Sequence, residues 1–191
     1  SVFIVDKTAK GVTTRDYPTL DGLHASEVTF DNQPATLIGT AEEGLKLIEQ
    51  VTDEAIAAHA SEAVGAMKVL LNATVEYSKT RKQFGVPIGK FQVLQHRMVD
   101  MFMNTEQSAS ITYMVTLKLG ESDVERKKAA SAAKVQIGKA GRFLGQWAVQ
   151  IHGGMGMTDE LNVGHYFKRL TMLDTLYGNV DHHLKRYAEL G

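Results

Sequence analysis

Tyr77-Ser78-Lys79-Thr80-Arg81-Lys82-Gln83-Phe84-Gly85-Val86-Pro87 separates two long helical stretches of the chain, and its reading decides the fold. Gly85 and Pro87 together stop a helix, and a proline is comfortable in the first turn of the next one. Upstream, residues 40–82 hold no proline and only scattered glycine, and Thr40 with Glu43 has the spacing of a capping box. A long helix is expected there. Downstream, Phe91, Leu94, Met98, Met101, Phe102, Thr105, Ala109 and Leu117 recur at three- and four-residue steps. That period predicts a second helix with one apolar stripe, closed by Gly120. Ser122 with Glu125 starts a third helix, whose face carries Ala133, Ile137, Ala140, Leu144, Trp147 and Ile151 and whose end is marked by Gly153, Gly154 and Gly156. A fourth segment runs from about Asp159 to Asp174, and a short helix follows Gly178-Asn179. Long helices joined by short turns describe a mainly α protein, an antiparallel four-helix bundle.

Residues 1–39 have a different grammar. Short apolar runs at 2–5 and 28–30 alternate with turn signals at Lys10-Gly11, Asp21-Gly22 and Asp31-Asn32, and Pro18 and Pro34 fall here. Three or four strands cannot bury two faces alone, so residues 1–39 read as the end of a β domain and residues 40–191 as the helical-bundle domain. The opening Ser1-Val2-Phe3-Ile4-Val5 reads as a strand already under way, as in a segment of a longer protein.

Charge is balanced, 21 Lys and Arg against 22 Asp and Glu, so no electrostatic surplus argues for nucleic acid or an anionic membrane as partner. The absence of cysteine excludes disulfides, thiol catalysis and thiolate metal sites, and suits a cytoplasmic location. No apolar run approaches a membrane span. No metal site is expected from the histidines: His182 and His183 are adjacent, and neighbours on a helix point about 100 degrees apart.

Two stretches leave more than one reading open. The cations around Arg81 can answer the negative end of a helix dipole or bind a phosphate. Gln150-Ile151-His152-Gly153-Gly154-Met155-Gly156 has more glycine than a helix cap needs, which lets a ligand or another chain approach the backbone. It follows a helix and lacks a GKS or GKT ending, so it is not a P-loop.

Arg81-Lys82-Gln83-Phe84-Gly85-Val86-Pro87-Ile88 followed by Phe91-Gln92 resembles the RxxFGxPIxxFQ signature of acyl-CoA dehydrogenases, and Gln150-Ile151-His152-Gly153-Gly154 resembles their QxxGG loop. The resemblance covers essentially the whole chain. Within that family, His165 to Met172 and the ending from Gly178 to Leu184 are most similar to the small-subunit type of pimeloyl-CoA dehydrogenase. The resemblance implies FAD, an acyl-CoA substrate, assembly into homo- or hetero-oligomers through the bundle, and electron-transfer flavoprotein as electron acceptor. It places Arg81, Gln83, Phe84 and Gln92, with Gln150, Gly153 and Gly154, against the flavin nucleotide, and Asp53 and Arg169 near the acyl-CoA.

In that family a glutamate removes the α proton while hydride leaves the β carbon for the flavin. The usual YEGT-like position of that glutamate is Gly178 here, within Leu176-Tyr177-Gly178-Asn179-Val180, and Val180 stands where a hydroxyl residue is usual. A second position used by some members, on the first long helix, falls at Ala55, and Ile56 replaces an arginine common nearby. Neither Gly nor Ala accepts a proton. Glu54, Asp174 and Asp181 are the candidates within the chain, a partner subunit is the other source of a base, and a helical scaffold without flavin is the alternative.

Overall fold

The computed structural model describes residues 1–191. They fall into two compact units, residues 1–52 and 53–191.

The first unit contains two antiparallel strand pairs. Strand β1 (Val2–Ile4) pairs with β4 (Thr36–Ile38), and β2 (Val12–Pro18) pairs with β3 (His24–Phe30) in a hairpin. The predicted turns are present as positive-φ residues, with Gly11 at 101°, Gly22 at 82° and Asn32 at 47°. Gly11 is obligatory, because a Cβ there would lie 2.4 Å from the Asp31 carbonyl oxygen. Phe3, Ile4, Val28 and Phe30 remain exposed, as expected of ribbons with only two strands. The change from strand to helix falls between Ile38 and Gly44, but the division between the compact units lies further on, at Thr52 and Asp53, inside the first helix.

Helix α1 spans Gly44–Thr80. It begins four residues after Thr40, because Thr40 and Glu43 bond side chain to side chain and Glu42 adopts φ 74°, which breaks the helical path. A small hairpin, β5 (Lys82–Gln83) and β6 (Val86–Pro87), and one 3-10 turn lead into α2 (Gln92–Lys118). Helix α3 (Asp123–His152) starts as expected, with Ser122 Oγ accepting from the Glu125 amide at 3.4 Å. A second 3-10 turn precedes α4 (Asn162–Thr175), which begins later than the sequence pattern suggested, after an extended Leu161. Helix α5 (Val180–Glu189) is capped by Asn179, whose side chain accepts from the His182 amide at 3.0 Å.

Two apolar clusters hold the bundle together. One gathers Ala63, Met67 and Leu70 of α1, Met101 of α2, Leu144 and Ala148 of α3, and Leu170 and Leu173 of α4. The other joins Ile56 of α1, Val115 of α2 and Ala130 of α3. The fold is thus the mainly α bundle that the periodicity implied.

The predicted α2 stripe is corrected. Its buried line is Met101, Thr105, Ser108, Thr112 and Val115, whose three hydroxyls donate to carbonyls one turn earlier, while Phe102 and Leu117 are 53% and 80% exposed. Small residues that satisfy their own hydroxyls let α2 lie close to its neighbours. The bulky ones form a second, outward apolar face with Val99, Met103 and Tyr113.

Candidate functional site

One candidate region lies where α1 ends. The Phe84-Gly85 turn has φ 53° and 82°, so both central residues occupy the left-handed region. Gly85 does so freely, whereas Phe84 costs about 1 kcal/mol. Phe84 is nevertheless held out at 92% exposure, with only an edge-on contact to Phe91 at 6.1 Å. The turn is anchored by the Ile88 amide donating to the Arg81 carbonyl at 2.8 Å and by Gln95 donating to Gly89 at 2.8 Å.

The glycine loop is tied to the last turns of α1. The Tyr77 ring stacks on His152 at 4.3 Å, and its hydroxyl donates to the His152 carbonyl at 3.3 Å. Two motifs separated by about seventy residues thus approach one another. Arg81, Gln83, Phe84, Gln92, Gln150, Gly153 and Gly154 are all exposed. Gly153 has φ 60°, and a Cβ at Gly154 would meet nothing within 4 Å. Packing within the chain therefore does not require a glycine at 154, and the loop presents bare backbone outward. Three side-chain amides, a guanidinium and open backbone form a donor set suited to a diphosphate and a nucleotide base.

The second region is the turn between α4 and α5. Tyr177 and Gly178 have φ 58° and 99°. Buried groups satisfy the carbonyls leading into it: Lys134 Nζ donates to Leu173, Asp174 and Leu176 at 2.6, 3.1 and 2.7 Å, and His183 Nε2 donates to Tyr177 at 2.9 Å. Burial pushes Lys134 down to about 8 and His183 down to about 4. The turn is rigidly held, and it carries no carboxylate. A Cβ on Gly178 would lie 2.4 Å from Cδ2 of His182, whose ring covers that position.

The acidic candidates are distributed around this region. Asp53 is fully buried and accepts from Arg126 Nε at 3.2 Å and Arg186 Nη1 at 2.8 Å, joining α1, α3 and α5. Asp174 accepts from Arg142 at 3.0 Å through one oxygen, while the other is buried against Gly138 without a partner. Asp174 and Asp181 line a cavity of 370 Å³ with Arg142 and Asn179. Glu54 and Asp181 are exposed. Arg169 forms a two-pronged contact with Glu62 at 2.6 and 2.9 Å, and holds that carboxyl below the usual carboxylate range. The sequence reading missed Lys134 and His183, because a lysine within a helix stripe and a histidine in a polar pair carry no signal of burial. It also missed Glu62 and His59, whose Nδ1 is 3.2 Å from Glu62 Oε2.

Residues 42–189 match the family model described as acyl-CoA dehydrogenase, C-terminal domain. Acyl-CoA dehydrogenase IpdE2 of Mycolicibacterium smegmatis is 30% identical over 178 residues, covering 93% of this chain and 55% of that protein. Butyryl-CoA dehydrogenase of Megasphaera elsdenii superposes with a TM-score of 0.89 at 25% identity, over 98% of this chain and 50% of its own. A variant of the Tcur3481-Tcur3483 steroid ACAD superposes with a TM-score of 0.87 at 28% identity, over 98% of this chain and 50% of its own. The chain spans about half the length of the relatives it matches.

Proposed function

The chain belongs to the acyl-CoA dehydrogenase family, and from that premise we propose that it is a subunit of an FAD-dependent enzyme that introduces an α,β double bond into an acyl-CoA thioester. The observation that carries this reading is the outward donor set at the end of α1 and at the glycine loop, where a glycine at 154 is required by no contact within the chain. Arg81 would face the diphosphate, Gln83, Gln92 and Gln150 the base or ribose, Phe84 the flat face of the nucleotide, and Gly153 and Gly154 would permit close backbone approach. Bound there, FAD supplies the two-electron oxidant. Because these groups point away from their own bundle, they suit a nucleotide shared with a second subunit, in a homo- or hetero-oligomer joined through the helices. The small-subunit type of pimeloyl-CoA dehydrogenase and electron-transfer flavoprotein as acceptor remain part of this proposal.

Substrate contacts near Asp53 and Arg169 are the least accessible part of the reading, since both side chains are already paired. Asp53 fits the role of an anchor for the helices that frame the acyl site. With Gly178 and Ala55 unable to take a proton, a glutamate of a partner subunit is one source of the base. The likeness to a complex named for two chains favours it. The silent scaffold that binds no flavin is the alternative.

Purification of the full-length protein with its natural partners tests the reading. A flavin spectrum is expected, and Arg81→Ala should weaken FAD retention by roughly tenfold or more, the scale of one charge-assisted hydrogen bond. A colourless assembly would favour the scaffold.

A further inference from the structure

We propose that His59, oriented by Glu62, is the proton acceptor of this chain's own acyl site; the inference rests on the dehydrogenase reading and replaces the partner-supplied base. Three observations converge on this residue. First, His59 follows Ala55 by four residues on α1, so the two share one face, and both are partly exposed. Second, the His59 ring lies 5.6 Å from the ring of Tyr177, the residue before Gly178. The imidazole thus shares a helix face with one vacant position and touches the residue next to the other.

Third, its second nitrogen is prepared to act. Glu62 Oε2 is 3.2 Å from Nδ1, and Arg169 holds Glu62 from α4 with two hydrogen bonds. A carboxylate only accepts, so Nδ1 carries the hydrogen and Nε2 presents its lone pair. Nε2 makes no hydrogen bond within the chain, and the side chain is 25% exposed. This is the arrangement of a base aligned by a third group. Asp53 and Asp174 are less suited, since both are tied to arginines, and Glu54 lies one residue, about 100 degrees, away from the Ala55 direction.

In the reaction, Nε2 of His59 takes the α proton and the electrons of that bond become the Cα=Cβ π bond. Bound FAD would supply the two-electron oxidant, taking the β hydrogen with its electron pair. The enoyl thioester would then be released, and the imidazolium of His59 would return its proton to solvent. Glu62 and Arg169 are positioning residues.

The test uses the full-length protein with its partner subunits. Diethyl pyrocarbonate labelling, read by peptide mass, should modify His59 and be suppressed by bound acyl-CoA. His59→Gln should slow flavin reduction by acyl-CoA roughly 100-fold or more and abolish the limb on which the rate rises with pH. Against that imidazole stand Glu62 on α1 and Tyr177 of the turn, with Arg169 of α4 behind Glu62. Removing the carboxylate nearest to it, in Glu62→Gln, should lower kcat for flavin reduction with KM and flavin content unchanged, and Glu62→Asp should restore part of the rate. If acyl-CoA gives no protection, or if His59→Gln reduces its flavin at the wild-type rate while loss follows removal of a partner glutamate, His59 is not the base and the dehydrogenase reading survives. If no acyl-CoA reduces the wild-type flavin, the dehydrogenase reading falls and this inference with it.

Discussion

At residue scale, Gly178 is more than a missing acid. Its φ of 99° is one that side chains rarely adopt, and His182 occupies the space beside its α carbon. Gly178→Glu should therefore lower stability by about 1–3 kcal/mol in thermal unfolding, and the Gly178→Glu, His182→Ala pair should recover part of that loss. His183 pins the same turn. Its folded value of about 4 lies below the ordinary 6.5, so the unfolded chain binds the extra proton between them. That contribution to stability is fully present above about pH 6.5 and is lost as pH falls toward 4. Each tenfold change in proton affinity is worth roughly 1.4 kcal/mol. Denaturation followed from pH 7 to 4 should therefore show a limb of up to about 3 kcal/mol that His183→Gln flattens. Ser131, Lys134, Arg186, His182 and the Tyr177 carbonyl face this ring and are unchanged in that comparison.

At the scale of elements, α3 is the axis on which α4 and α5 are placed. Gly138, Gly141 and Gly145 form a groove against Asp174, Leu170 and Phe167, and a Cβ on Gly145 would come within 2.3 Å of the Phe167 ring. Gly145→Ala should cost about 1–3 kcal/mol by overpacking and shift α4, measurable by thermal melting. Asp53→Ala should cost about 2–4 kcal/mol, because it removes the buried carboxylate that joins Arg126 and Arg186, leaving Arg126 only its bond to Asp123. The long helices were legible because turn residues and a 3.6-residue period bound them, as at Ser122 and Gly153. The glycine groove was not, since glycine at helical spacing also reads as weak propensity until a facing ring is known. Phe102 and Leu117 were misplaced for a related reason: periodicity marks an apolar face, and α2 has two. At the candidate site, the residues proposed to face the flavin were legible from contiguous motifs, whereas His59 and Glu62 gained meaning only when Arg169 and Tyr177, more than a hundred positions away, came beside them.

At the scale of the whole molecule, the chain supplies a bundle, an exposed edge rich in donors and an acid-free turn, and it spans about half the length of its relatives. In the proposed assembly the site would be shared between subunits, each bundle lending donors to a nucleotide held largely by its neighbour. Salt should matter little to such an assembly, since the chain's charges balance and its outward α2 face is apolar. The most direct measurement is an anaerobic titration of the full-length protein, purified with its natural partners, with acyl-CoA thioesters. Loss of the oxidised flavin's visible absorbance with release of the enoyl thioester is the predicted result. An assembly that carries no flavin, or one whose flavin stays oxidised with every acyl-CoA supplied, would contradict the account.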